Sequence, residues 1–370
     1  MENFTTVTKP RLVALWPECL NVHLTKDLGM IPFILHKYHN YDSAIACYGI
    51  EDFPYIEAEV KGLKIDLVEN RGDILTDGND YLAKKAKEID ILFLIGIYPF
   101  TLSWIVNYKT LNPEGKIYLK LDANIYWMNR IDFTDNLFGI LKKCDVISVE
   151  NKRLYHYLNK KWPLKIEYIP NGFYNFCSSP NVNFEEKENV ILTVARIGNH
   201  LKANEILLEG FKLVAEKIPD WRLKLVGNVE DHFIQYIHQF FTENPELRDR
   251  VEFVSSIENK RVLENEYRRA KIFCLTSRME GFPLVFTEAA KGGCFIVSTE
   301  LDSAFDITND STFGELFPID DSHRLSEILL EVCNDNVRLE QTTYEIQNFA
   351  ETNFSWTNIC NKLDLLLHLN

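Results

Sequence analysis

The run Ser277-Arg278-Met279-Glu280-Gly281-Phe282-Pro283-Leu284-Val285-Phe286-Thr287-Glu288 sets two acids eight positions apart, the first followed directly by Gly-Phe-Pro. The apolar stretch 271–275 before it reads as a buried strand, and the stretch after Pro283 reads as a helix with proline at its first position, where the missing N–H has no partner to lose. Gly281 lets a ligand approach the backbone closely. A helix that opens at the carboxyl end of a strand turns its free N–H groups and positive dipole end toward an anion, here a phosphate seated near Gly281, Phe282, Pro283, Leu284 and Val285. Glu280 at the mouth of that seat, and Glu288 between one and two turns down the helix, would repel the phosphate. They suit hydroxyl groups beside it, and phosphate plus hydroxyls describes a nucleotide sugar. A surface turn followed by an acid in the first turns of a helix explains the spacing equally well, so agreement elsewhere in the chain has to decide.

The second element is Val194-Ala195-Arg196-Ile197-Gly198-Asn199-His200-Leu201-Lys202. It follows an apolar strand and precedes a helix, which directs Arg196 and Lys202 to the carboxyl end of a parallel sheet. A diphosphate leaving group gathers negative charge in the transition state, and an Arg fork plus a Lys point charge can stabilise it without a metal. In Tyr118-Leu119-Lys120-Leu121-Asp122-Ala123-Asn124 the alternation puts Lys120 and Asp122 on one face at a strand end. Asp122 there can accept a hydrogen bond from a sugar or acceptor hydroxyl; a helix cap or a salt bridge with Lys120 explains it as well.

The Glu280/Glu288 spacing together with Arg196 and Lys202 resembles the Glu-x7-Glu signature of retaining glycosyltransferases of the GT-B fold, family 4 in particular. The likeness is strongest over 165–370 and mainly architectural over 1–164. It implies two Rossmann-like α/β domains facing an interdomain cleft, and transfer of a sugar from a nucleotide diphosphate sugar to a hydroxyl acceptor with retention, the departing diphosphate taking the acceptor's proton. By that resemblance Arg196 and Lys202 hold the diphosphate, Glu280 binds the donor sugar and Glu288 the ribose. Gly227, in Val226-Gly227-Asn228, approaches the nucleotide by its backbone, and Ile257 lies in the segment that holds the base. Asn171, in Pro170-Asn171-Gly172, marks the interdomain junction, although a simple turn fits that tripeptide too. No cofactor and no metal are implied. The acceptor would be a glycan or lipid-linked glycan of the cell surface, reached by transient contact with a membrane surface. Three departures stand out. Ala195 and Ala203 occupy positions where glycine is usual. The segment 22–30, with Lys26 and Gly29, stands where a Gly-Gly loop is expected to meet the donor phosphate. Lys120 and Asp122 stand near the place of a His-Asp pair. These departures keep open a nucleotide-sugar 2-epimerase and a non-catalytic nucleotide-sugar-binding subunit.

The elements that must position these residues are legible as alternation. Apolar runs at 11–16, 43–48, 64–67, 91–95, 116–121, 145–149 and 166–169 are separated in part by helical patterns such as 80–87 and 137–143, which argues for a parallel sheet. A polar stretch at 177–188 punctuates the chain, and the expected boundary falls at 178/179. The pattern restarts with strands at 190–194, 222–226, 251–254, 272–275 and 295–298 and helices at 203–217, from about 231, and at 260–269. An amphipathic end segment, 351–370, is expected to cross back to the first domain.

A chain of 370 residues is comfortable for two cores. The net charge of −14 excludes general nucleic-acid affinity. It is carried almost entirely by 181–370, with 19 basic against 32 acidic residues, whereas 1–180 holds 21 against 22. Only the first half could approach an anionic surface without strong repulsion. Its basic pairs Lys84-Lys85, Lys142-Lys143, Lys152-Arg153 and Lys160-Lys161 also read as solvated helix faces. No apolar stretch reaches the roughly 18 to 20 residues of a membrane span. The eight cysteines lack Cys-x-x-Cys spacing and read as buried thiols of a cytoplasmic protein.

Overall fold

The computed structural model describes residues 9–176 and 182–369. Two compact units make up the chain, one running to Gly172 and completed by the segment from Trp356, the other spanning Phe173–Ser355. The expected boundary at 178/179 and Cys177 lie outside the described residues.

The first unit is built on strands β1 (Arg11–Leu15), β2 (Asp42–Cys47), β3 (Lys64–Leu67), β4 (Ile91–Ile95), β5 (Lys116–Lys120), β6 (Val146–Val149) and β7 (Glu167–Tyr168). Their order is β3-β2-β1-β4-β5-β6-β7, and every neighbouring pair is parallel. Parallel strands covered on both faces read as continuous apolar runs, and Ile91–Ile95 is buried at every position. The helix Pro99–Leu111 sends Trp104 and Tyr108 fully into the core. Both are tolerated because their polar tips are satisfied: the indole N–H donates to the Leu75 carbonyl at 3.1 Å and the phenol to that of Ile89 at 2.7 Å. The helix expected at 80–87 begins earlier, at Ile74, capped by Asp73, whose carboxylate accepts from the Thr76 amide at 3.1 Å. The polar run Asp77-Gly78-Asn79-Asp80 masks that first turn in the sequence. Only tertiary partners reveal why Asp77 is buried there: it accepts from the Tyr48 hydroxyl at 2.9 Å and the Arg71 amide at 3.0 Å.

The helix Trp356–Leu369 belongs to this first unit and packs against the helix Asp27–His39. Ile359, Cys360, Leu363 and Leu367 form its buried stripe, the i, i+4, i+8 spacing of one helical face. Asp364 accepts from the Tyr41 hydroxyl at 2.7 Å, and Lys362 donates to the Tyr168 carbonyl at 2.7 Å.

The second unit repeats the plan with β8 (Glu188–Val194), β9 (Arg222–Val226), β10 (Val251–Val254), β11 (Ala270–Leu275), β12 (Phe295–Thr299) and β13 (Gly314–Phe317), in the order β10-β9-β8-β11-β12-β13, all parallel. Strand β13 has no counterpart in the sequence reading. In each sheet the order grows outward from the first strand and then reverses to the fourth. Chain direction therefore switches between β1 and β4 in one unit and between β8 and β11 in the other. Ligands of open parallel sheets bind outside the strand carboxyl ends at such a point.

Candidate functional site

The loops that follow β8 and β11 are the two that flank the switch point of the second unit; they carry Arg196, Lys202 and Glu280, and Glu288 lies in the helix that the second loop enters. After β8 the chain turns through Gly198 and reaches the helix Asn204–Val214 through Ala203, which is buried and held left-handed at φ 47°. That conformation costs an L-residue about 1–2 kcal/mol, and it explains why glycine is usual there. The neighbouring loop holds it in place. Thr276 donates its hydroxyl to the carbonyls of Lys202 and Ala203 at 3.0 and 2.9 Å, and the Arg278 amide donates to Leu201 at 2.8 Å. Arg278 adds its guanidinium, donating to Glu205 and Asp320 at 2.7 Å each.

This stitching brings Lys202 onto Glu280. Their ion pair is formed at Glu280 Oε1, which also accepts from the Ser277 hydroxyl at 2.7 Å. Among the described contacts, both bonds fall on Oε1, which leaves Oε2 available to a ligand hydroxyl. Arg196 lies exposed in the turn after β8, and the next amide, Ile197, donates to Asn228 at 2.9 Å. Gly227 makes that approach possible. At φ 147° a Cβ there would sit 1.7 Å from the Ala195 carbonyl oxygen, so the turn after β9 has to be glycine.

The helix after the acid loop is Leu284–Lys291, and Pro283 precedes it as the N-cap rather than opening it. The reason is local: Pro283 is extended at ψ 128° and its carbonyl accepts from the Phe286 amide at 3.1 Å. No side chain caps this end. The amides of Leu284 and Val285 thus have no intrahelical partner. Phe282 is buried with its ring 5.6 Å from that of Phe354, which fixes the entry of the chain; Gly281 is half-buried. Further down, Glu288 Oε2 accepts from the hydroxyl of the buried Tyr267 at 2.9 Å. Burial, then the Glu288 charge, pushes the Tyr267 phenol far above its ordinary range, so it remains a donor. Ile257, half-buried after β10, packs on the same apolar cluster as Phe282 and Phe286.

In the first unit the expected residues divide differently. Lys120 is completely buried and its ammonium meets Glu150 at 2.9 Å, Asn171 at 2.8 Å and Asp27 at 3.1 Å. Burial opposes that charge, but Glu150, Asp27 and Asp122 prevail and raise its pKa. Asn171 is therefore drawn into a buried cluster by its carboxamide oxygen. Gly29 is held by close packing. It lies inside the helix Asp27–His39, where a Cβ would meet the Leu24 carbonyl at 2.2 Å, so packing of the chain on itself accounts for the glycine. The helix cap considered for Asp122 falls to Asn124, which accepts from the Trp127 amide at 3.0 Å. Asp122 instead sits at φ 44° with an open surface. Desolvation by the surrounding protein, then the charges of Asp27 and Glu150, raise its carboxyl to about 7. Sequence reasoning missed Ser277, Tyr267, Arg278 and Glu150. Ser277 and Arg278 stand inside the motif itself, whereas Tyr267 and Glu150 have no local signal.

Against known proteins, residues 178–349 match the family model "Glycosyl transferases group 1". The whole-chain comparison decides the architecture. Sucrose-phosphate synthase of Thermosynechococcus elongatus superposes with a TM-score of 0.75 at 15% identity, covering 98% of this chain and 99% of that one. HepE of Anabaena, solved in complex with UDP, superposes with a TM-score of 0.74 at 14% identity over 98% and 100%. The fold is GT-B. Sequence similarity within this GT-B chain reaches a Campylobacter jejuni α-1,4-N-acetyl-D-galactosaminyltransferase acting on a diNAcBac-PP-undecaprenol glycan, 28% identical over 206 residues, 53% of each chain. The chain spans about half or less of the length of the curated relatives it matches. Among the described residues, no helix of this GT-B chain is long and apolar enough to cross a membrane.

Proposed function

We propose that this protein transfers a glycosyl group from a nucleoside diphosphate sugar to a hydroxyl acceptor, with retention at the anomeric carbon and without a resident metal, as a family 4 type enzyme. The observation that carries the reading is the junction of the β8 and β11 loops, where Lys202, Glu280 and the uncapped end of Leu284–Lys291 meet at one switch point. Arg196 and Lys202 supply cations to the diphosphate, and the Leu284 and Val285 amides supply neutral donors. In the transfer step the bond from the anomeric carbon to the phosphate oxygen breaks as the bond to the acceptor oxygen forms on the same face. The acceptor's proton passes to the departing diphosphate. No protein carboxylate has to act as nucleophile, which suits two glutamates that are both engaged in hydrogen bonds. Glu280 Oε2 receives a sugar hydroxyl, and Glu288, oriented by Tyr267, receives the ribose. Gly227 and Ile257 border the nucleotide, and Asp122 takes the acceptor hydroxyl.

The UDP in the HepE structure supports a nucleotide sugar as donor, and the undecaprenol-linked acceptor in the Campylobacter relative's name supports a glycan or lipid-linked glycan as acceptor. The exposed basic residues Lys142, Lys143, Lys152, Arg153, Lys160 and Lys161 of the first unit suit transient contact with an anionic membrane face from the cytoplasm.

Calorimetric titration with UDP, GDP and ADP, followed by turnover assays of the matching nucleotide sugars with and without EDTA, tests the reading. Binding of one diphosphate and chelator-resistant turnover are expected. Failure of all three diphosphates to bind would remove the donor site, and turnover abolished by EDTA and restored by magnesium would remove the metal-free mechanism.

A further inference from the structure

Glu150 is the most unusual acid of the first unit. It is fully buried one residue after β6, and its two oxygens are used on three donors from β5 and the turn beyond it. Oε1 accepts from Lys120 Nζ and the Asp122 amide, both at 2.9 Å, and Oε2 from the Ala123 amide at 3.2 Å. The two amides bracket the point where the chain leaves β5 and becomes left-handed at Asp122. A buried carboxylate needs a cation, and Lys120 provides it while being tied to Asp27 and Asn171 as well. A plain internal ion pair would be complete with Lys120 alone. The additional grip on consecutive amides acts on one residue's backbone, and that residue is the open carboxyl at the sheet's carboxyl edge.

We propose that Glu150, locked by Lys120, is a positioning residue for Asp122: it fixes the left-handed turn and so aims the Asp122 carboxyl toward the hydroxyl it receives. This rests on the transferase reading for the identity of that hydroxyl, not for the clamp. The charges around Asp122 follow from the same geometry. Asp27 and Lys26 face it from the start of the helix Asp27–His39, Glu150 from beyond β6, Lys120 from β5 and Tyr98 from beyond β4. Desolvation, then the charges of Asp27 and Glu150, outweigh the opposing pull of Lys120 and Lys26, and Asp122 holds its proton up to about pH 7. Below that pH it donates a hydrogen bond to a hydroxyl, and above it accepts one.

The test is a carboxyl-carbon NMR titration of the full chain labelled at aspartate, with the Asp122 resonance assigned by its loss in Asp122→Asn. Glu150→Gln removes a like charge and places an amide where two backbone N–H groups need acceptors. The Asp122 midpoint should then fall by about one pH unit or more. Asp27→Asn, a milder change that spares the amide grip, should lower the midpoint as well. Titration of Glu150→Gln with the diphosphate that the wild type binds reports on the second unit and should stay within about twofold of wild type, because Glu150 is buried in the first unit. A Glu150→Gln protein that is folded, binds that diphosphate and leaves the Asp122 midpoint and line position unchanged overturns the clamp. If Glu150→Gln does not fold, Glu150→Asp, which keeps the charge but shortens the reach to the two amides, takes its place, and an unmoved Asp122 midpoint and line position there overturn the clamp instead. Failure of UDP, GDP and ADP alike to bind the wild type would overturn the transferase reading and leave the clamp to be decided by the midpoints.

Discussion

Lys202 and Glu280 are paired before any ligand arrives, and this sharpens what each substitution should do. Lys202→Ala removes a charge-assisted contact to the diphosphate, worth about 1.5–3 kcal/mol, or roughly 10- to 150-fold in affinity. Glu280→Gln frees the ammonium, so binding of the bare diphosphate should hold or tighten while the intact donor, which needs the sugar contact, weakens. Glu288→Gln should weaken both ligands, since ribose is common to them. Paired calorimetric titrations of diphosphate and intact donor read all three, and equal loss of both ligands in Glu280→Gln would end the division of roles. Asp122 makes a separate prediction. Its folded pKa of about 7 lies above the ordinary value of 3.8, so between those values the folded state binds more protons than the unfolded one. Stability therefore declines as pH rises from about 4 to 7 on this residue's account. Asp122→Asn should flatten that decline, measured as the urea midpoint at pH 5 against pH 7.5, and an unchanged slope would mean the carboxyl ionises normally.

At the scale of the element, the strands and their loops were readable because alternation of apolar runs with helical periods is a local property. The stretch 222–226 and the helix 260–269 match Arg222–Val226 and Lys260–Arg269 at both ends. Boundaries failed where a polar run hides the first turn of a locally capped helix, as at Ile74, or where the shift is a single cap residue, as at Pro283. The turn after β9 shows the opposite case, in which one residue type is compulsory. Gly227→Ala combines a forbidden positive φ with a collision against the Ala195 carbonyl. It should cost roughly 3 kcal/mol and disturb the Arg196 turn with it. Chemical denaturation checks the first effect and diphosphate titration the second; a stable variant with wild-type affinity would show that the turn can relax.

At the scale of the molecule, the two units hold separate cores, and the first is completed by a helix from the far end of the chain. Five buried apolar side chains on Trp356–Leu369, Ile359, Leu363 and Leu367 among them each worth about 1.5–3 kcal/mol relative to exposure, leave with that helix if it is deleted. Removing residues 356–370 should therefore lower the unfolding transition of the first unit, with fluorescence or calorimetry as the readout. The transition that a diphosphate shifts should persist, because the residues proposed to hold it lie in Phe173–Ser355. Coincident loss of both transitions would mean the units unfold as one.

Composition, the doubled alternation and the Glu280/Glu288 spacing were enough to determine two parallel α/β units and to pick out the two loops of the second. Those signals are local in the chain, set by strand and helix periods and by turn residues. Only the tertiary structure decided that Lys202 pairs with Glu280, that Tyr267 holds Glu288, and that Gly29 and Asn171 serve packing and a buried cluster. It alone decided, too, that Glu150 grips the turn at Asp122. The contacts of Lys202 with Glu280, Tyr267 with Glu288, Lys120 with Asn171 and Glu150 with Asp122 all join residues well separated in the chain, and a buried charge is defined by what surrounds it in space, which no local pattern of residues records.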